Sequence, residues 1–226
     1  MPHLNLQSLK LRNYRCFEAI DIVFHPKLTV LVASNGAGKT SILDAIAVAF
    51  GPYIGAFDEA VGKHFEPSDI RQVQTRRTAS LEMEYAPHGV WLEATGHIPD
   101  APADLLNVQD ATPSTWRRNL SGPVKAKTTI KDAKRLIDYG KWMQTAVRTQ
   151  GNNALLPLVA YYGTGRLWQQ KKLKVAKKIQ RSSRTIGYKD SLDPASSYKS
   201  FVEWFRYWNL NATVLRLKDQ AHEPEF

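Results

Sequence analysis

The sequence predicts an α/β fold organised around a phosphate-binding loop, and three observations predict it. An unbroken apolar run at 28–33 (LTVLVA) leads into a glycine-studded turn, ASNGAGKT at 33–40, and the turn opens a segment of helical periodicity. Two alternating stretches precede that run, and further short apolar stretches separated by turn signals follow it. With 226 residues, 43% of them hydrophobic and 23% charged, the chain is long enough to bury a substantial core.

Residues 4–12 (LNLQSLKLR) and 19–24 (AIDIVF) alternate as two strands around a turn at 13–18. The run at 28–33 reads as a strand covered on both faces. A helix is expected from Lys39 to about Phe50, with Ile42, Ala45, Ile46 and Ala49 on one face and Gly51-Pro52 as its end. Residues 53–78 read as a surface excursion. SLEMEYAP and GVWLEATG then predict a hairpin turning at Pro87-His88-Gly89. Residues 97–125, rich in Pro, Asp and Ser, read as loop or short helix. Ile130, Ala133, Ile137 and Met143 place a helix within 129–149. ALLPLVAYYG at 154–163 looks like another buried strand, although Pro157 cannot donate to a sheet ladder. The expected organisation is a nucleotide-binding lobe at 1–165, then a basic and helical segment at 166–226 that starts an insertion or second lobe.

Net charge narrows the class of partner. A formal charge of +10 and a pI near 9.7 favour polyanions: nucleotides, nucleic acid or acidic surfaces. The single cysteine, Cys16, excludes an internal disulfide and fits a reducing setting. The first residues hold no uninterrupted apolar core of a secretion signal. The longest apolar run, Ile42 to Phe50, is broken by Asp44 and is too short to span a bilayer. The expectation is a cytoplasmic protein with no membrane partner.

A loop that holds β- and γ-phosphates must turn backbone N–H groups inward and bring the main chain close to the anion, which glycine permits. The helix that follows adds its free amides and dipole. Gly36, Gly38, Lys39 and Thr40 stand where this design needs them, with Lys39 for the phosphates and the Thr40 hydroxyl for Mg²⁺. The pattern G-x-x-x-x-G-K-[ST] is broken at one position, Ala33.

SNGAGKTSILDAI resembles the loop of ABC-type ATPases. LQSLKLRNYRCFEAIDIVF ahead of LTVLVASNGAGKT resembles the opening of the SMC/RecF-like branch, which includes DNA break-repair ATPases, overcoming-lysogenization-defect nucleases and ATPase subunits of antiphage systems such as Septu. SDIRQ (68–72) and LVAYYGTGRLW (158–168) resemble a bacterial group of ATP-binding proteins. The resemblance implies the N-terminal lobe of an ABC ATPase head, with mixed and antiparallel strands around the nucleotide. It implies ATP and Mg²⁺ as cofactors, held by Asn35, Gly36, Ala37, Gly38, Lys39, Thr40 and Ser41, with Thr40 on the metal. Arg15, in NYRCF, matches the arginine of the family's N-F-R turn beside the α-phosphate, with Asn13 and Cys16 as neighbours; an exposed turn arginine is the other reading. Asp69 and Arg71 read as a solvated loop pair rather than as nucleotide contacts.

Other parts of an ABC site do not occur. No run of four apolar residues ends in Asp-Glu, the pair that steadies the metal and orients water. LSGP at 120–123 reads as a loop rather than as a signature motif. Gln169 and Gln170 are weak stand-ins for a Q-loop, and Arg166 reads equally as an anion contact or as a surface arginine. No catalytic residue is identified. The simplest expectation is a lobe of a longer or split ATPase that hydrolyses ATP once completed by its other half or by a homodimer partner, in DNA repair or antiphage defence, with DNA and a nuclease as possible partners. A non-catalytic nucleotide-binding module that regulates another ATPase is the alternative, and a small-molecule kinase a third. Between Arg166 and Lys189 stand nine lysines and arginines and no acid. This stretch reads either as a DNA contact or as a solvated surface segment. The aromatic run FVEWFRYW at 201–208 reads as a core-packing helix, and the six histidines show no metal-ligand spacing.

Overall fold

The computed structural model of the chain describes residues 4–77, 80–99, 113–149, 154–163 and 185–193, with positions 209 and 213. In chain order its elements are β1 (Asn5–Tyr14), β2 (Phe17–Val23), α1 (Lys39–Ile54), β3 (Gln72–Arg77), β4 (Ser80–Tyr85), β5 (Val90–His97), β6 (Ser114–Leu120) and α2 (Lys134–Arg148). Four strands form an antiparallel sheet of order β2-β1-β5-β6, and β3 and β4 form a separate antiparallel ribbon.

Alternation in the strands sets the two faces of the sheet. Leu9 and Leu11 of β1, Leu92 and Ala94 of β5 and Trp116 of β6 are buried on one face. Each large apolar side chain buried there contributes about 1.5–3 kcal/mol. Lys10, Arg12 and Arg117 stand on the opposite face. There Lys10 and Arg117 pair with Glu93 at 3.0 and 2.7 Å, and Arg12 pairs with Asp21 at 2.5 Å. The Trp91 ring lies between Arg12 and Arg117, each guanidinium 6.0 Å from its centroid.

Helix α1 covers the inner face. Its small residues Ala45, Ala47 and Ala49 let the backbone approach closely, and the Trp116 indole N–H donates to the Ala49 carbonyl at 2.9 Å. The helix does not stop at Gly51-Pro52, as expected, but runs on to Ile54. Pro52 has no N–H for the Val48 carbonyl four residues earlier. Arg118 supplies the missing donor, its Nη1 lying 2.8 Å from that carbonyl. The remainder of Arg118 is spent on the carbonyls of Thr129 and Lys63 and on His64 Nδ1. Burial pushes its pKa down to about 10. On the other side α2 packs against α1, with Tyr53 stacked on Tyr139 at 5.7 Å.

The helix within 129–149, the two opening strands and the turn at 87–89 agree with the sequence reading, and of the expected loop at 120–123 residues 121–123 are loop while Leu120 ends β6. Other expectations are corrected. The segments 28–33 and 154–162 are not strands: no described strand lies beside them to take their backbone hydrogen bonds. Val32 and Leu158 are exposed at 89% and 96%, while Ala154, Leu156 and Val159 pack partly on the core and Tyr161 is buried. The stretches around 87–89 do not form a hairpin, because β4 pairs with β3 and β5 pairs with β1 and β6. Within 97–125 lies the strand β6, and 53–78 is no surface excursion: Tyr53, Ile54, Phe57, Phe65 and Ile70 are buried there. Most of the basic stretch, the aromatic run at 201–208 and the boundary at 165–166, together with Arg166, Gln169 and Gln170, lie outside the described residues.

Candidate phosphate site

The loop expected to hold phosphate runs from Ala33 into the first turn of α1. Gly36 and Gly38 adopt φ of +83° and +90°, a region that disfavours any other residue. Gly38 is also closed in by neighbours: an added Cβ would meet the Phe17 ring and lie 2.7 Å from Cys16 Sγ. Ala33, by contrast, has no positive φ, so the position that breaks the sequence pattern makes no demand for glycine. The Ala37 N–H closes the turn on the Ser34 carbonyl at 3.3 Å.

Helix α1 begins with nothing to neutralise its positive end. It has no side-chain cap and no acid in its first turn, and its first intrahelical bond runs from the Ile42 N–H to the Gly38 carbonyl. The amides of Lys39, Thr40 and Ser41 have no intrahelical partner by helix geometry. Lys39 folds back over the loop, its Nζ donating to the carbonyls of Ala33 and Ser34, each at 2.7 Å. These amides, one ammonium and the exposed Thr40 hydroxyl make a donor set suited to a polyphosphate. Thr40 suits Mg²⁺, which takes few protein ligands and completes its shell with phosphate oxygens and water. Among the described residues no cluster of three His, Cys, Asp or Glu is placed to hold a metal by itself.

Arg15 lies on the turn between β1 and β2, immediately before Cys16 and Phe17 that touch Gly38. It is not a free turn residue. Its Nε donates to Asp69 at 2.8 Å, its Nη1 to Asp44 at 2.6 Å, and its backbone N–H to the Asp69 carbonyl at 2.8 Å. Burial works against the Arg15 charge, yet Tyr14, Asp44 and Asp69 outweigh it and raise its pKa. Asp69 is buried in this pairing, which corrects its reading as half of a solvated loop pair. Arg71 pairs at 3.4 Å with Glu18, which is itself exposed. Asn13 is held through its side-chain amide by the Pro87 carbonyl at 3.1 Å.

The sequence reading missed two members of this cluster. Asp44, noted only as a break in an apolar run, is buried on α1 and accepts hydrogen bonds from Arg15 and from the Tyr161 hydroxyl, the latter at 2.8 Å. A carboxylate inside an otherwise apolar helical stretch was the available signal for Asp44. Tyr161 carried none, because its partner is 117 residues away. Beside the cluster a groove of about 790 Å³ is lined by Arg15, Glu66, Ser68, Gln72 and Tyr85 among others. Among the described residues no helix is long and apolar enough to cross a membrane.

Residues 8–211 match the family model described as an AAA domain. The DNA replication and repair protein RecF of Pectobacterium atrosepticum is 26% identical over 246 residues, covering 97% of this chain and 66% of that protein. The OLD nuclease of Thermus scotoductus is 35% identical over 85 residues, covering 36% of this chain and 15% of the nuclease. The chain therefore spans about two thirds of the RecF and a small part of the nuclease. A solved structure from work on ATP-driven dimerization and DNA-stimulated activation of SMC ATPases aligns with a TM-score of 0.38 and 15% identity, over 60% of this chain and 78% of that one. A score that low carries no argument. The similarity to RecF and to the nuclease bears out the kinship expected from NYRCF and NGAGKT.

Proposed function

This chain belongs to the AAA domain family, and from that premise we propose that it is the Mg-ATP-binding lobe of a RecF-like ATPase that acts on DNA. The observation that carries the reading is the loop itself: two glycines at positive φ, an uncapped helix N-terminus and Lys39 poised over the loop carbonyls. Asn35, Gly36, Ala37 and Gly38 present backbone donors to the phosphates. Lys39 pairs with the β- and γ-phosphates, Thr40 takes the metal, Ser41 adds an amide and hydroxyl, and Arg15 approaches from the β1–β2 turn. Mg²⁺, when bound, neutralises phosphate charge that develops during transfer.

Hydrolysis needs a carboxylate that orients water, and the sequence has no strand ending in Asp-Glu. In this reading the missing parts come from another lobe or a second copy. The segments 28–33 and 154–162, each of which keeps apolar side chains exposed, become strands when that partner supplies their hydrogen bonds. DNA would lie against the basic stretch 166–189, with a binding constant that falls steeply with salt. A role in repair follows from the RecF relative, a DNA replication and repair protein; a role in antiphage defence, and a nuclease partner, are the further options that the kinship with an OLD nuclease leaves. The absence of an Asp-Glu strand also favours a second reading, a module that binds nucleotide and regulates another ATPase.

Calorimetry with Mg-ATP, run on the wild-type chain and Lys39→Ala with phosphate release followed in the same samples, tests the proposal. Removing a charge-assisted contact weakens binding at least about tenfold. Binding with no release is expected. Absence of binding by the wild-type chain overturns the proposal, and Lys39-dependent release would mean that the water-orienting acid is in this chain.

A further inference from the structure

The Arg15 cluster does more than bury charge. Each carboxylate in it is held at both oxygens. Asp69 accepts from Arg15 Nε on Oδ1 and from the Glu66 backbone N–H on Oδ2. Asp44 accepts from Tyr161 on Oδ1 and from Arg15 Nη1 on Oδ2. Arg15 Nη2 has no hydrogen-bond partner among the described residues, and Arg15 lines the groove. The guanidinium is thus held through Nε and Nη1, and Nη2 carries the spare donors. Its backbone, at φ +49°, adopts a conformation that arginine rarely takes without a compensating contact.

Tyr161 holds the far end of this chain of contacts. Within the described segment 154–163 it is the one buried side chain, while Leu155, Leu158 and Tyr162 are exposed. Its backbone N–H is fixed by the Ser191 carbonyl at 2.8 Å. The Tyr161 hydroxyl therefore ties this segment, which also rests on the core through Ala154, Leu156 and Val159, directly to Asp44 of α1, five residues after Lys39.

We propose that Asp44, oriented by the Tyr161 hydroxyl, is the positioning residue that holds Arg15 for the bound nucleotide, so that segment 154–163 sets the grip of the phosphate loop. The inference rests on the reading of 33–41 as the nucleotide loop. Neither Asp44 nor Tyr161 touches the nucleotide in this account; both act through Arg15. Whatever covers or moves 154–163 changes the Tyr161 contact, then Asp44, then the turn that packs on Gly38.

Tyr161→Phe removes one hydroxyl without altering ring packing, so it reports on the contact itself. Mg-ATP affinity is measured for Tyr161→Phe, Asp44→Asn, Arg15→Met and the Tyr161→Phe/Arg15→Met double variant. Tyr161→Phe weakens binding about threefold to tenfold, the range for the loss of one ordinary hydrogen bond. In the Arg15→Met background the same substitution costs less than about twofold, because the residue through which it acts is gone. An unchanged affinity in Tyr161→Phe, or its full loss in the Arg15→Met background, overturns the proposal. Cys16, the sole thiol, gives a readout that needs no nucleotide, since it sits in the positioned turn. Its alkylation rate rises at least about twofold in Tyr161→Phe and Asp44→Asn. If the wild-type chain binds no nucleotide, the function proposed above fails, and an unchanged Cys16 rate then sinks the positioning chain as well.

Discussion

Two parts of the molecule carry similar apolar sequences and meet opposite fates. The sheet β2-β1-β5-β6 buries its alternate residues under α1, and Leu9, Leu11 and Leu92 have no exposure. The runs LTVLVA and ALLPLVAYY are at least as apolar, yet they form no strand and leave Leu28, Val30, Val32, Leu155 and Leu158 exposed. A hydrophobic run states a need for cover; only a neighbouring strand that supplies N–H and C=O partners makes it part of a sheet. The sheet and α1 cover each other, and the exposed side chains of the two runs mark where the molecule is open to something else.

That contrast sets the order of expected effects. Arg118→Met, in the packed half, leaves the Val48 and Thr129 carbonyls without their donor inside the core. The predicted cost is about 3–4 kcal/mol in urea unfolding. Gly38→Ala, where the packed half meets the loop, strains a φ of +90° and drives a methyl into Phe17 and Cys16. It is expected to cost about 1–3 kcal/mol and to abolish measurable Mg-ATP binding at concentrations that saturate the wild-type chain. Val32→Ser and Leu158→Ser, in the open half, stay within about 0.5 kcal/mol of wild type. A loss near that of Arg118→Met at either position would mean these runs are already packed, and the contrast would collapse.

Acid provides a milder probe of the same core. His64 receives a hydrogen bond from Arg118, and burial first, then the Arg118 charge, lowers its pKa below the ordinary 6.5. A depressed histidine pKa contributes stability that is fully present above pH 6.5 and is lost as pH falls toward the folded-state value. The melting temperature of the wild-type protein should therefore drop more steeply below pH 6.5 than that of His64→Gln. Parallel curves would remove His64 from the account.

What the sequence made legible was what local pattern can encode. β1, β2, α1 and the helix α2 announce themselves by period, and the phosphate loop by glycine and lysine spacing with a helix behind it. β6 was hidden because its inward positions include Arg118, so the apolar alternation of a half-buried strand never appears in STWRRNL. The same arginine explains why Gly51-Pro52 fails to end α1: a donor 70 residues away replaces the one proline lacks. Pro87-His88-Gly89 does turn the chain, but a local turn signal cannot tell which strand a distant partner will claim. In the site, Lys39 and Thr40 belong to a contiguous motif, whereas Asp44, Asp69 and Tyr161 become a cluster only after the chain has folded.

The central claim is that 33–41 and the β1–β2 turn form one nucleotide site on the packed half. Hydrogen exchange with and without Mg-ATP, on the wild-type chain and Lys39→Ala, tests it by position. The account predicts slowed exchange at 34–41 and at 13–17 in the wild-type protein and no change in Lys39→Ala. Unchanged exchange at both places, or protection that persists without Lys39, would contradict it.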